Sequence, residues 1–148
     1  MIADQNKVRI LFVCTGNACR SQMAEAWALT LKSDQIDVYS AGTHPAGTLS
    51  SRVVQVMSEA GVDMSEHWSK PIDFWVDVTF DYVITLCDHA KQYCPEFAHS
   101  TQMIHKHIPD PMGIIGVDKQ TMDVFRRTRD FIKAYVASLP ECLARSPV

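Results

Sequence analysis

The sequence contains no run of about 18 apolar residues, so no segment is expected to span a membrane. Its first residues, MIADQNK, lack the apolar core of a secretory signal, and a cytoplasmic protein is expected. Basic residues are not in excess. Fourteen Lys and Arg stand against 17 Asp and Glu, so no bulk positive field recruits nucleic acid or an anionic bilayer. An anionic ligand must therefore be held by local donors. Neither a G-x-G-x-x-G nor a Walker A pattern occurs, which argues against nucleotide binding. Repeats, low-complexity tracts and a linker-like change of composition are also missing. The cysteines do not form an even set. Cys14, Cys19, Cys87, Cys94 and Cys142 make five, which speaks against a secreted disulfide framework. In a reducing compartment such thiols are buried, metal-bound or reactive.

What is present fits one domain over residues 1–148, large enough for a proper core. Val8–Val13 is a short β-branched apolar run, the pattern of a buried parallel strand. Ile36–Ala41, Tyr82–Leu86 and Met103–Ile108 are read as further strands. Residues 21–33 are expected to form a helix with Met23, Trp27 and Leu31 on one face. Ser50–Ala60 is expected to form another, with Val53, Met57 and Ala60 facing inward and Gly61 stopping it. Thr121–Leu139 reads as a long helix burying Phe125, Ile132, Val136 and Leu139, and Trp68–Val78 as a short one. Strands alternating with helices predict a doubly wound α/β sandwich around a parallel sheet. Ligands of such folds sit at the carboxyl ends of the strands. Cys14, Cys87 and Asp110 each follow a predicted strand, so all three are expected on that edge.

The turn VCTGNACRS, Val13–Ser21, carries the chemistry. A strand-to-helix turn of this kind aims successive backbone N–H groups at a tetrahedral oxyanion, with the helix N-terminus behind it. Residues Thr15, Gly16, Asn17, Ala18, Cys19 and Arg20 are the expected cradle. Gly16 permits close backbone approach, and Asn17 tolerates a left-handed conformation. Arg20 offers a planar fork for two oxygens. Cys14 lies at the bottom, where the amides, Arg20 and the Ser21 hydroxyl stabilise a thiolate aimed at the central atom of the anion.

The residues CTGNACRSQMAEA resemble the low-molecular-weight protein tyrosine phosphatase superfamily, and more closely its thioredoxin-coupled arsenate reductases. The resemblance continues through YSAGTHPAG, VMSEAGVDMSEH, VITLCDHAKQYCP, HIPDP and RRTRDFI, in order over nearly the whole chain. It implies a central four-stranded parallel sheet of the low-molecular-weight phosphatase type. It also implies that Cys14 attacks arsenate, Arg20 and the loop amides hold the developing charge, and Asp110 acts as general acid. Cys87 then attacks the sulfur of Cys14, arsenite leaves, and Cys94 attacks Cys87. The resulting Cys87–Cys94 disulfide is regenerated by an external dithiol protein, expected to be thioredoxin, with a glutathione/glutaredoxin system as the alternative.

Two further points separate reductase from phosphatase. Cys87 and Cys94 are too far apart in sequence for a zinc knuckle or a C-x-x-C motif. If the segment between them is helical, its rise separates the α-carbons by about 10 Å. A disulfide needs roughly 4.4–6.8 Å, so the segment has to unwind to close one. A phosphatase needs only Cys14, Arg20 and Asp110. Phosphatases of this superfamily commonly carry tyrosines after the acid Asp-Pro, whereas here Met112 and Gly113 follow. A low-molecular-weight phosphotyrosine or phosphomonoester phosphatase is the alternative reading, and weak phosphatase activity is expected beside reduction. A redox sensor or anion binder without turnover is a third, which would have no use for Asp110.

Phosphate and sulfate are expected as competing oxyanions. In some of these reductases the positions of Asn17, Glu25 and Ser40 help bind potassium behind the loop, and an Asp completes that site. The resemblance puts Lys70 in the place of the Asp, so its ammonium is expected to fill the cation site. Potassium is then not required. Cys19 is expected to support the loop outside the relay, and Cys142 to be an incidental thiol. His105 and His107 fall on one face of the fourth predicted strand. With no cysteine or carboxylate close in sequence, no metal is expected there. No resident cofactor is expected, and nothing calls for an oligomer, so the chain is read as a monomer.

Overall fold

The computed structural model describes residues 7–144. Four strands form one parallel sheet in the order β2-β1-β3-β4. They are β1 (Val8–Cys14), β2 (Ile36–Gly42), β3 (Tyr82–Thr85) and β4 (Gln102–His105). The helices are α1 (Arg20–Leu31), α2 (Ser51–Glu59), α3 (Asp88–Tyr93), α4 (Lys119–Ala137) and α5 (Glu141–Ala144). Short 3₁₀ turns cover Ile72–Trp75 and Pro111–Gly113. Among the described residues no helix is long and apolar enough to cross a membrane.

The central strand β1 buries Ile10 through Cys14 without a break, because both faces of a parallel sheet are covered. On β2 the two-residue alternation sends Tyr39 and Ser40 to opposite faces. Ser40 reaches Glu25 of α1. Tyr39 packs edge-on against Trp75 and Phe80. The edge strand β4 leaves Met103 exposed and ends at His105, three residues short of the expected boundary.

Two caps set helix starts. The Ser50 hydroxyl accepts from the Val53 amide at the start of α2. The Asp118 carboxylate accepts from the Thr121 amide, so α4 begins two residues earlier than its apolar periodicity suggested. Phe125, Ile132, Val136 and Leu139 are buried as expected. Leu31 and Ala60 are not. The first two turns of α1 are buried nearly all round, against the sheet, α4 and the anion loop. Its last turn, Leu29–Leu31, projects past these contacts, and Leu31 is 39% exposed. Ala60 is the exposed C-cap of α2, and Val56 takes its place in the core beside Val53 and Met57. The Trp68–Val78 segment is mostly irregular, with helical turn only at Ile72–Trp75.

Packing of α1 on α4 and of α4 on α2 builds one helical layer. A bidentate bridge joins the last two: Arg126 Nε and Nη2 donate to Glu59 Oε1 and Oε2 at 2.8 and 2.9 Å. Arg129 Nη1 donates to the Val56 carbonyl at the end of α2.

Candidate active site

The carboxyl ends of β1 and β3 lie side by side, with the Leu86 amide donating to the Val13 carbonyl. This pairing brings the Cys14 loop and the Cys87 segment to one edge. The loop after β1 is held from outside. Carbonyls of Cys14, Thr15, Gly16 and Ala18 accept from the amides of Thr43, His44, Ala46 and Ser50. With those carbonyls turned outward, the amides of residues 15–19 find no protein acceptor among the described residues. They remain free for an anion. Helix α1 starts at this point with no side-chain cap and no acidic residue in its first turn. A bound oxyanion would supply the missing cap.

Glycine and asparagine do different work in this loop than their order suggests. Asn17 has φ of 48°, the left-handed conformation expected of it. A Cβ on Gly16 would meet only ordinary contacts in the protein, the nearest being Ala46 Cβ at 3.5 Å. The tight position is Gly42, where a Cβ would stand 2.6 Å from the Thr15 carbonyl oxygen and 3.0 Å from the Asn17 nitrogen. Gly42 lets β2 approach the loop closely enough for the amides that follow it to bind the loop carbonyls.

Cys14 is buried, and its Sγ lies 2.9 Å from Ser21 Oγ. Asn17 Nδ2 donates to the same Ser21 oxygen at 2.7 Å. That bond occupies the Ser21 acceptor and leaves its hydroxyl proton for the Cys14 sulfur. Arg20 is buried too. Its Nη1 donates to the Ile108 carbonyl at 2.9 Å, and its Nη2 is 3.5 Å from Asp110 Oδ2. Its Nε has no partner among the described residues. A buried guanidinium N–H without an acceptor is costly, and an oxyanion in the loop is the natural acceptor. Asp110 is half exposed at the rim, and its Oδ1 caps the Pro111–Gly113 turn by accepting from the Met112 amide. No aromatic side chain follows it. The exposed residues there are Met112, Ile114 and Ile115.

All five cysteines are free thiols. Cys87 caps α3, accepting from the Ala90 amide, and lies 3.3 Å from the Thr15 hydroxyl. Cys94 ends the same helix. The helix between them is the arrangement that keeps their α-carbons about 10 Å apart. Burial pushes the Cys94 thiol up to about 11. Burial, reinforced by Cys14, pushes Cys19 still higher above its ordinary value. Cys19 is thus a neutral loop thiol. Cys142 packs partly buried against the core, and its sulfur accepts a bond from the Ser138 hydroxyl.

Behind the loop, Asn17, Glu25, Ser40 and Lys70 come together. The Lys70 ammonium is 3.6 Å from Glu25 Oε1 and donates to the Trp68 carbonyl at 2.8 Å. Burial lowers its pKa from the ordinary 10.5, with Glu25 pulling in the opposite direction. Its backbone amide donates to Asn17 Oδ1. Sequence reasoning missed Gln22, which is wholly buried. Its amide donates to the Asn17 carbonyl, Asn17 Oδ1 and the Trp68 carbonyl. It missed Ser69, which donates to the Gly16 carbonyl. It also missed the packing of His44 against His89 and Tyr93 of α3. His105 and His107 meet a carboxylate from another part of the chain. Asp88, distant in sequence, lies within 3.1 Å of one and 3.4 Å of the other.

A parallel α/β sheet with a buried thiol in an amide-lined strand-to-helix loop, an arginine closing it and an aspartate at its rim has the features of a cysteine-based oxyanion site. The family model of low-molecular-weight phosphotyrosine protein phosphatases matches residues 9–147, and the chain belongs to that family. An arsenate reductase from Halalkalibacterium halodurans is 41% identical over 136 residues, covering 92% of this chain and 97% of the relative. A solved arsenate reductase in the phosphate-binding state superposes with a TM-score of 0.75. It is 34% identical and covers 89% of this chain and 95% of its own. A thioredoxin-dependent arsenate reductase from Corynebacterium glutamicum gives a TM-score of 0.71 at 27% identity, covering 98% of this chain and 66% of that one.

Proposed function

We propose that this chain is an arsenate reductase that works as a single domain and passes electrons through Cys14, Cys87 and Cys94. The observation that carries the reading is the placing of two further cysteines at either end of one short helix, the first of them beside the anion loop. The similarity to arsenate reductases over most of the chain supports it. A phosphatase, which finishes its reaction with water, has no need of these two thiols.

Arsenate enters the cradle of amides 15–19 and takes Arg20 Nε as donor. The Cys14 thiolate, held by Ser21, attacks arsenic and displaces a hydroxyl group of the arsenate, which takes a proton from Asp110 and leaves as water. Amides and guanidinium carry the charge on the remaining oxygens. Cys87 then attacks Cys14 Sγ. The S–As bond breaks, its electron pair goes to arsenic, arsenite leaves, and a Cys14–Cys87 disulfide remains. Cys94 attacks Cys87 Sγ and frees the Cys14 thiolate. This second exchange requires α3 to unwind, which also takes Cys94 out of the surroundings that keep it protonated. A short helix with one fully buried residue, Ala90, opens at small cost. The exposed Cys87–Cys94 disulfide is then reduced by a dithiol protein, for which thioredoxin is the choice the Corynebacterium relative favours.

The test is a single turnover of the reduced protein with arsenate and no external reductant. About one arsenite per chain and a Cys87–Cys94 disulfide are expected. In Cys94→Ser the disulfide should stop at Cys14–Cys87, and in Cys87→Ser arsenite should not form. Intact thiols together with steady hydrolysis of an aryl phosphate would make the protein a phosphatase instead.

A further inference from the structure

We propose that Asp88, His105 and His107 form a zinc site that ties the start of α3 to the end of β4. Asp88 Oδ1 lies 3.1 Å from His105 Nε2 and 3.4 Å from His107 Nδ1, and all three ligand atoms fall within 4.8 Å of one another. Bonds of 2.0–2.2 Å in a tetrahedron put neighbouring ligand atoms about 3.3–3.6 Å apart. The 3.4 Å edge already has this length, and the 3.1 Å edge needs only a slight opening. The third closes by a small movement of His107, whose side chain is 56% exposed and lies just beyond the strand.

The second shell is built as well. Thr85 is buried, and its hydroxyl lies 2.8 Å from His105 Nδ1 and 3.4 Å from the Ile104 carbonyl; in the Nδ1–H tautomer that a metal on Nε2 requires, the hydroxyl donates to that carbonyl and accepts from Nδ1–H. This fixes the ring and turns the Nε2 lone pair towards Asp88. An outer hydrogen bond of this kind is what orients a metal-binding histidine. In that tautomer the lone pairs of two imidazoles and a carboxylate converge on one point, where an ion takes the place of the proton that His105 Nε2 otherwise shares with Asp88. Two nitrogen ligands and one oxygen ligand favour zinc over magnesium or calcium, and the open solvent side leaves the fourth position to water.

The place of the site gives it a consequence, which rests on the proposed relay. Asp88 is the first residue of α3 and follows Cys87 directly. An ion bridging Asp88 to β4 holds the helix in the wound form in which Cys87 and Cys94 cannot bond. Zinc therefore slows the second thiol exchange and lets the Cys14–Cys87 disulfide accumulate.

Cobalt(II) titration of the reduced protein tests the site without reference to turnover. One Co²⁺ per chain is expected, with visible d–d absorption, no thiolate-to-cobalt charge-transfer band, and displacement by Zn²⁺. His107→Gln and Asp88→Asn, both at exposed positions, should each bind at least about tenfold more weakly. Amide exchange of α3 should slow with Zn²⁺ in the parent and not in His107→Gln. A charge-transfer band surviving in His107→Gln would place the ion on the relay cysteines and overturn the site. Variants that bind like the parent, or an absence of stoichiometric binding, would do the same. The relay effect is read separately, as slower Cys87–Cys94 formation on adding Zn²⁺, each protein being compared with its own metal-free rate. If metal-free protein yields no arsenite, the reductase reading fails while the cobalt result stands on its own.

Discussion

At the scale of single residues, the proposed nucleophile Cys14 depends on a chain of three side chains. Asn17 donates to Ser21, and Ser21 is left to donate to Cys14. A hydrogen bond to a charged group is worth about 1.5–3 kcal/mol, and about 1.4 kcal/mol is a factor of ten. Ser21→Ala should therefore slow alkylation of Cys14 by iodoacetamide at neutral pH by roughly tenfold or more, read by peptide mass spectrometry. Ser21→Thr, which keeps the hydroxyl, should recover most of the rate. Equal rates in all three proteins would remove Ser21 from the chain. Lys70 raises a second question at this scale. Its ammonium already meets Glu25, Ser40 lies on the same carboxylate, and its amide holds Asn17. A cation added to this cluster would have to displace the lysine. Replacing sodium by potassium at constant ionic strength is expected to leave the arsenate reduction rate unchanged. A several-fold increase would show that Lys70 does not fill that place.

At the scale of elements, the layer behind the loop is joined by charge as well as by apolar packing. Glu59 of α2 receives Arg126 of α4 in a bidentate bridge, with Arg129 3.6 Å away. The hydrogen bonds from Arg126 hold the Glu59 carboxyl below its ordinary value of 4.5. A carboxyl with a lowered folded-state pKa adds stability above its unfolded value. That stability is lost as pH falls through the folded value. Glu59→Gln should therefore melt at a lower temperature than the parent near neutral pH. The gap should close as pH falls below 4.5. The bridge is solvent-exposed, so added salt should narrow the gap as well. A difference that persists unchanged in acid would belong to packing and not to charge. Neither partner signals the bridge in sequence, because Glu59 and Arg126 belong to different helices and only their packing brings them together. The helix caps show the opposite case. Ser50 stands three residues ahead of Val53, the first apolar residue, and the sequence places its helix within a residue. Asp118 stands further ahead of the first apolar residue, and the start of α4 was set two residues late.

At the scale of the whole molecule, what was legible was what is local. The strands, the anion loop and Arg20 are read from consecutive residues whose types match one geometry. What holds that loop open was not legible, because it comes from distant segments. Gly42 is identified only by the approach of Thr15, Gln22 and Ser69 only by the carbonyls they reach, and Asp88 only by the histidines across the sheet end. These contributions converge on one property of the fold, a cradle of five backbone amides and a buried Arg20 Nε that no acceptor among the described residues satisfies. Such a site makes stability depend on the anion. A ligand that binds only the folded state adds RT ln(1 + [L]/Kd), about 2.7 kcal/mol at a hundred times Kd. For a chain of this size that is a rise of several degrees in melting temperature. Arsenate, phosphate and sulfate should each raise the melting temperature of the reduced protein, compared with chloride at equal ionic strength so that screening is held constant. Cys14→Ser should keep most of the rise, since the amides and Arg20 remain. Arg20→Lys should lose most of it, because an ammonium cannot supply the planar fork that matches two oxyanion oxygens. If chloride stabilises as much as the tetrahedral anions, or Arg20→Lys responds like the parent, the loop is not the anion site, and the first step of the reduction would need another place to begin.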